Sequence, residues 1–205
     1  MLFFISIRAP SCCSWTGLQR SWPNRKTDYA HRSIQGRYDL GVHIGRLHDS
    51  SLIARRLAVS RRVMCCSPAY AQNAGLPVSI DDLANHTCIS YANVPSNEIW
   101  QFEPVEPTNT PRSLTVRSRI VTSNDETVRD TAIAGLGIAI LPVFVAAQAL
   151  SKGQLIDILP DEHPVADTIY AIYPQSRYIP IKVNAIINYL RTAFREDPAW
   201  NGLES

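Results

Sequence analysis

Residues 123–142 read SNDETVRDTAIAGLGIAILP and carry the clearest secondary-structure signals of the chain. Ser123 and, three residues later, Glu126 have the S-x-x-E form of a capping box, in which the serine caps a helix and the glutamate reaches back. Gly135 stops the predicted helix. Residues 137–142 then form an apolar run closed by a proline, which is typical of a buried strand. The segment therefore predicts a helix capped by Ser123 that leads directly into a buried strand.

Short strands and helices alternate on both sides of this segment. Upstream, apolar or alternating runs predict strands at 38–44, 63–66, 88–91, 99–103 and 114–121. The Ser67-Pro68 pair predicts a helix start, with the serine as N-cap. Downstream we predict a helix at 143–150, strands at 155–159 and 168–173, and an amphipathic helix at 181–194. The alternation indicates an α/β protein with mainly parallel sheets, which bind ligands beyond the carboxyl ends of their strands.

Charge is unevenly distributed along the chain. Residues 1–36 carry five basic side chains against Asp28 alone, whereas residues 37–205 carry 15 basic and 17 acidic side chains. A nucleic-acid-binding surface usually needs a net positive field, and the body of this chain has none. The sequence also contains no helix-turn-helix or zinc-finger pattern. We therefore expect no direct DNA contact from this chain.

The cysteines indicate a reducing compartment. The chain has five, an odd number with two adjacent pairs: Cys12, Cys13, Cys65, Cys66 and Cys88. That pattern is a poor disulfide framework and favours the cytoplasm over secretion. The apolar run at residues 2–7 is too short for a membrane span and lacks the basic start and longer core of a signal peptide. We expect a cytoplasmic protein without membrane association.

No motif in the sequence indicates an enzyme, a metal site or a cofactor. Glycine-rich phosphate loops and the G-x-S-x-G nucleophile motif are both absent. Catalysis would have to use Cys65 or Cys66 as nucleophile with His43 or His86 as base, and no flanking signature supports either. A metal set of His43, His48 and Cys88 has no recognised ligand spacing. We expect a protein that binds rather than catalyses.

Several segments occur in an order and spacing that resemble a known family. They are YDLGVHIG at 38–45, DSSLIARRL at 49–57, CSPAY at 66–70, DDL at 81–83 with His86, and SN at 123–124 followed by AGLGIAILP at 134–142. Together they resemble the effector-binding domain of LysR-type transcriptional regulators, over about residues 35–194. The family's winged helix-turn-helix is not recognisable in the sequence.

The resemblance implies an α/β fold of two Rossmann-like subdomains, as in type 2 periplasmic binding proteins, with the effector in the cleft between them. Subdomain I would comprise residues 37–62 and 168–195, and subdomain II residues 63–167. Residues 1–36 are unmatched and residues 196–205 form a tail. The family's first subdomain has a further central strand and a covering helix before Tyr38, and only residues 2–7 offer a strand. We therefore expect an incomplete first subdomain, a poorly ordered N-terminal segment and a stable second subdomain.

Five residues are candidate ligand contacts. Ser123 and Asn124 precede a helix whose free N–H groups and dipole suit a carboxylate or phosphate, and the resemblance puts this turn at the cleft. Gly45 and Arg46 follow the strand at 38–44, at its carboxyl end. Ser67 is the fifth. The alternative interpretations are that Ser123 and Ser67 are only helix caps and that Arg46 is an ordinary surface arginine.

The resemblance also implies a function. The chain would sense a small organic effector, which we expect to be an anion, and would control transcription through rearrangement of subunits in a full-length homo-oligomer. A secreted type 2 solute-binding protein and an enzyme on the same fold are the alternatives, because fold alone cannot decide function.

Overall fold

The chain forms two compact units in a computed structural model that describes residues 2–5, 38–45, 47, 51–92, 99–104, 111–175 and 179–196. Among these residues, unit 1 contains those up to Ser60 and those from Asp167 onward, and unit 2 contains Arg61–Ala166. The chain thus crosses between the units twice. The crossings lie between Ser60 and Arg61 and between Ala166 and Asp167. The predictions for residues 6–37 and 197–205 lie outside the described residues.

The elements follow one another in a mixed order. The strands are β1 (Leu2–Ile5), β2 (Leu40–Ile44), β3 (Leu52–Ser60), β4 (Arg62–Cys66), β5 (Cys88–Tyr91), β6 (Ile99–Phe102), β7 (Arg112–Thr115), β8 (Ser118–Thr122), β9 (Ile138–Pro142), β10 (Ile156–Asp157) and β11 (Asp167–Pro174). The α-helices are α1 (Pro68–Ala74), α2 (Asp125–Ile133), α3 (Val143–Ser151) and α4 (Ile181–Glu196). A 3₁₀ helix spans Asp81–Asn85.

Unit 1 is a four-stranded sheet in the order β1-β2-β11-β3, covered on one face by α4. Val183 and Ile187, one helical turn apart on α4, are buried against β2 and β11. The guanidinium of Arg191 donates to the backbone oxygen of Arg56 at 3.0 and 3.1 Å, and Lys182 pairs with Asp39 at 2.7 Å. Apolar burial and polar contacts therefore both attach α4 to the sheet.

The expectation of mainly parallel sheets is wrong for unit 1. β1 and β11 both pair antiparallel with β2, and β11 pairs antiparallel with β3. The reason lies in the crossings. β3 leaves the unit at Ser60 and β11 enters it opposite, at Asp167, so the two strands must run in opposite directions. Among the described strands of unit 1, β1 lies at the edge of the sheet, whereas the family pattern predicts a central strand before Tyr38.

Unit 2 contains a five-stranded mixed sheet in the order β10-β4-β9-β5-β8. β5 pairs parallel with β8 and β9, whereas β4 pairs antiparallel with β9 and with β10. One face packs against α2 and α3. The other face packs against α1, the 3₁₀ helix and the β6–β7 hairpin. Cys65 and Cys66, adjacent on β4, contribute to opposite faces, as the alternation of a strand requires.

The predicted strand at 114–121 is in fact two strands. Val116 and Arg117 separate β7, which pairs with β6 in a hairpin, from β8, which pairs with β5. Val116 is 3% exposed because it fills the core between the two sheets. The alternation of residues 114–121 did not reveal the break between β7 and β8, because the side chains of both strands alternate with the same two-residue period. In the described part of the chain, no helix is both long and apolar enough to cross a membrane.

Candidate functional site

The carboxyl ends of the parallel strands in unit 2 meet at one edge of the sheet. Tyr91 at the end of β5 pairs with Thr122 at the end of β8, and the Ala92 N–H donates to the Thr122 backbone oxygen at 2.8 Å. The predicted contacts Ser123 and Asn124 follow directly. The end of β9 lies on the other side of β5. This edge is where an open α/β sheet binds ligands.

Asn124, not Ser123, caps α2. The Asn124 side-chain oxygen accepts the N–H groups of Glu126 and Thr127, at 2.8 and 3.3 Å, and its backbone is extended. The helix therefore begins one residue later than the capping-box pattern predicts. Ser123 lies half-buried in the turn between β8 and the cap. The prediction that Ser123 caps this helix is therefore wrong.

Charge at the start of α2 reduces its capacity for an anion. Asp125 and Glu126 occupy the first turn, where their carboxylates favour the positive end of the helix dipole. Asp125 is 9% exposed, so its carboxylate is largely withdrawn from solvent. Asn124 meanwhile takes two of the N–H groups that an anion would use. The start of α2 therefore offers the side chains of residues 123–124 rather than a bare helix end.

The start of α3 differs from that of α2 in its cap and in the charge of its first turn. The sequence analysis did not identify it. Pro142 precedes this helix without a side-chain cap, and its first turn contains no acidic residue. Arg62 pairs with Pro142 in the sheet, and the Val143 N–H donates to the Arg61 backbone oxygen at 3.0 Å. The backbone of Arg61 and Arg62 therefore lies beside a helix start that has no side-chain cap. The Arg61-Arg62 pair and the missing cap residue after Leu141 are signals that the sequence does carry.

Ser67 lies at the opposite edge of the same sheet. Its hydroxyl accepts the Tyr70 N–H at 3.2 Å, as the predicted N-cap of α1, and it is 2% exposed. β4 runs against β9, so Ser67 follows the strand end that lies beside the start of β9. Four residues of strand, about 13 Å at 3.3 Å per residue, separate the two edges. The structure therefore does not bring Ser67 together with Ser123 and Asn124.

Gly45 lies in unit 1, at the end of β2. Its N–H donates to the Thr168 backbone oxygen at 3.1 Å, and its φ of 111° is a conformation that side chains rarely adopt. A Cβ at this position would meet only the Asp167 carboxylate oxygen, at 3.8 Å. The glycine is thus required by the backbone turn and not by crowding. Arg46, the fifth predicted contact, lies outside the described residues.

Ser60 is a further polar residue of unit 1 that the sequence analysis missed. It ends β3 directly opposite Asp167 and is 2% exposed. Its hydroxyl has no hydrogen-bond partner among the described residues. A serine next to two arginines at a strand end gives no sequence signal of such burial.

A groove between α2 and α3 contains none of the predicted contacts. It is lined by Arg129, Asp130, Ile133, Gln148, Ala149 and Gln154. Arg129 forms an ion pair with the neighbouring Asp130 at 2.8 Å. The positive charge that an anion would need is therefore already neutralised. The groove is therefore not our candidate site.

The thiols of unit 2 are unsuited to nucleophilic chemistry. Burial raises the pKa of Cys65 and Cys88 to about 12 and that of Cys66 to about 11. The thiolate is the nucleophile, and it is scarce at neutral pH for such values. His86 contacts the Tyr70 hydroxyl through Nδ1 at 3.1 Å. The described residues contain no cluster of three or more metal-ligating side chains.

We expect these raised pKa values to appear in both reactivity and stability. In a Cys12→Ser/Cys13→Ser background, the three remaining thiols should react with a disulfide reagent at pH 8 only as the chain unfolds. Between about pH 9 and 12 the unfolded state ionises first, so the folded state binds more protons. The stabilisation is complete below pH 9 and is lost as the pH rises through this window. Rapid labelling of the folded chain at pH 8, with urea unfolding unchanged up to pH 11, would contradict the burial.

Comparison with known proteins identifies the family. The model of the LysR substrate binding domain matches residues 26–195. An uncharacterized HTH-type transcriptional regulator of Haemophilus influenzae is 35% identical over 149 residues, which cover 73% of this chain and 51% of the relative. The HTH-type transcriptional activator AaeR of Escherichia coli is 32% identical over 158 residues, covering 77% of this chain and 50% of AaeR. The chain spans about half the length of the curated relatives it matches.

Solved structures agree. The full-length Vibrio cholerae virulence activator AphB, a member of the LTTR family, superposes with a TM-score of 0.63 at 25% identity, covering 75% of this chain and 51% of AphB. The regulatory domain of CrgA from Neisseria meningitidis gives a TM-score of 0.67 at 23% identity, covering 83% and 80%, and shows the fold alone. The predicted family and the type 2 periplasmic-binding-protein-like fold class are confirmed. The chain belongs to the LysR substrate-binding-domain family, the effector-binding part of LysR-type transcriptional regulators.

Proposed function

We propose that this domain senses a small organic anion in the cytoplasm. Joined to a DNA-binding module in a homo-oligomer, it would control transcription because the anion binds one arrangement of the subunits better than another. The relatives named above are transcriptional regulators, which favours a sensor over a secreted solute-binding protein or an enzyme. DNA contact would come from the attached module, since residues 37–205 carry more acidic than basic side chains.

The carboxyl edge of the unit 2 sheet is the observation on which this proposal rests. It combines the polar turn at residues 123–124 with the start of α3, which has no side-chain cap and no acidic residue in its first turn. A helix start of this kind favours negative charge, and the side chains of residues 123–124 carry hydrogen-bond donors that a carboxylate can use. In unit 2 the proposed contacts are Ser123 and Asn124, and in unit 1 they are Gly45 and Arg46. Ser67 is not included, because its hydroxyl caps α1 at the other edge.

The test is binding of small carboxylates to the full chain. Acetate, lactate, succinate and benzoate are compared with acetamide and benzamide by thermal shift and titration calorimetry. At least one acid should raise the melting temperature, while the neutral amides should not, because the donors at this edge favour negative charge. Equal responses to an acid and its amide, or no response to any acid, would contradict an anion sensor.

Two neighbouring substitutions separate capping from binding. Asn124→Ala should lower the free energy of unfolding by about 1 kcal/mol, because two N–H groups at the start of α2 lose their acceptor. Ser123→Ala should cost less stability but weaken binding of the acid that stabilises the wild-type chain. Urea unfolding and calorimetry measure the two quantities separately. If Ser123→Ala is the more destabilising change and leaves affinity unchanged, Ser123 is a structural residue only.

A further inference from the structure

Ser60 has a buried hydroxyl that the described part of the chain leaves unsatisfied. It is 2% exposed, and no donor or acceptor there contacts its Oγ. The large majority of buried side-chain polar atoms in folded proteins have a hydrogen-bond partner. An unpaired hydroxyl away from water is unfavourable, so such a group calls for a specific explanation.

Two other side chains show how unusual Ser60 is. Ser67 is equally buried, at 2% exposed, yet its hydroxyl accepts the Tyr70 N–H. Tyr173, 2% exposed, is the second described residue whose buried hydroxyl lacks a partner. Tyr173, however, packs among Leu40, Val183 and Ile187 in the apolar core beneath α4, where nothing polar is expected to enter.

Ser60, in contrast, lies at an end of the sheet. It is the last residue of β3, and its register partner Asp167 is the first residue of β11. Gly45 follows β2 at the same end, where its N–H bonds to the Thr168 oxygen and its missing side chain leaves open space. Across two strand spacings, about 10 Å, this end of the sheet therefore holds the buried Ser60 hydroxyl, the Asp167 carboxylate and the uncrowded turn at Gly45.

We propose that Ser60 is a ligand contact of unit 1, whose hydroxyl bonds to an oxygen of the small organic acid. This inference rests on the proposed function and adds a residue to it. A hydroxyl both donates and accepts, so it can serve either oxygen of a carboxylate or a ligand hydroxyl. The unsatisfied group is then the polar partner that a binding site keeps available for its ligand.

The experiment compares Ser60→Ala with Ser67→Ala in the full chain. The two serines are equally buried, and of the two only Ser67 has a hydrogen-bond partner among the described residues. Without added acid, Ser60→Ala should melt no lower than the wild-type chain, whereas Ser67→Ala should melt several degrees lower. With the acid among acetate, lactate, succinate and benzoate that binds best, Ser60→Ala should bind about tenfold more weakly. Ser67→Ala should keep the wild-type affinity.

The outcomes distinguish this inference from the function on which it rests. If none of the acids stabilises the wild-type chain, the anion-sensor proposal fails, and the role of Ser60 fails with it. If an acid binds the wild-type chain and Ser60→Ala equally well, only the role of Ser60 is overturned. A loss of stability in Ser60→Ala as large as that in Ser67→Ala, without added acid, also overturns it, since the hydroxyl would then have a structural partner such as bound water.

Discussion

Gly137→Ala is expected to lower the free energy of unfolding by about 3 kcal/mol. A Cβ at this position would lie 2.6 Å from the Thr87 backbone oxygen and 3.2 Å from its carbonyl carbon. The obstacle is backbone and cannot rotate away, and the same oxygen accepts the Ile138 N–H at 2.9 Å. Relief of the clash would therefore separate the start of β9 from β5. Overpacking of 1–3 kcal/mol and a weakened ladder bond of about 1 kcal/mol act together.

Gly153→Ala is the matched control. Gly153 also has a positive φ, of 67°, but a Cβ there would meet nothing within 4 Å. It should cost only the strain of the left-handed conformation, about 1 kcal/mol. Urea unfolding followed by circular dichroism measures both, and amide hydrogen exchange in β9 and β5 locates the change. Equal losses in the two variants would show that conformation, not the contact with Thr87, explains the requirement for glycine at 137.

Gly137 also illustrates what the sequence could establish about the fold. The segment 134–142 predicted a helix end and a buried strand, and the structure has β9 at Ile138–Pro142. Local pattern was sufficient for this because the signals lie within a few residues of one another. The approach of Gly137 to Thr87 joins positions 50 residues apart, and no local pattern encodes it. The prediction of mainly parallel strands failed for the same reason, because strand direction depends on where the chain crosses between the units.

The candidate site was predictable only where its residues carry their own signal. Ser67 before Pro68 and the turn at 123–124 have recognisable capping chemistry. The sequence could not decide between Ser123 and Asn124 as the cap, because both residue types cap helices well. The choice depends on which residue occupies the N-cap position with an extended backbone, and in the structure that residue is Asn124. Ser60 has no signal, because its interest comes from burial without a partner. The start of α3 was overlooked because it is distinguished by two absences, of a side-chain cap and of acidic residues in the first turn.

Phe102→Ala is the second change for which we expect a large effect, a loss of 3–5 kcal/mol in the free energy of unfolding. Phe102 is fully buried on β6, in the cluster with Met64, Leu83 and Ile138. Its removal loses the transfer free energy of the ring and leaves a cavity that the surrounding strands cannot fill. The neighbouring backbone is fixed, since the Glu103 N–H donates to the His163 oxygen at 2.7 Å, which limits collapse onto the space.

Ile99→Ala on the same strand is the control for the Phe102 experiment. Ile99 is 40% exposed, so less apolar area returns to water and no cavity forms, and we expect a loss below about 1 kcal/mol. The sequence predicted a strand here but could not assign its buried face, because residues 99, 100 and 102 are all apolar. Unfolding in urea is monitored by the fluorescence of Trp100 in a background in which Trp15, Trp22 and Trp200 are replaced by phenylalanine, so that the signal reports on this hairpin. If Phe102→Ala costs no more than Ile99→Ala, the β6–β7 hairpin is not part of the unit 2 core, and the proposed packing of that face against the sheet is wrong.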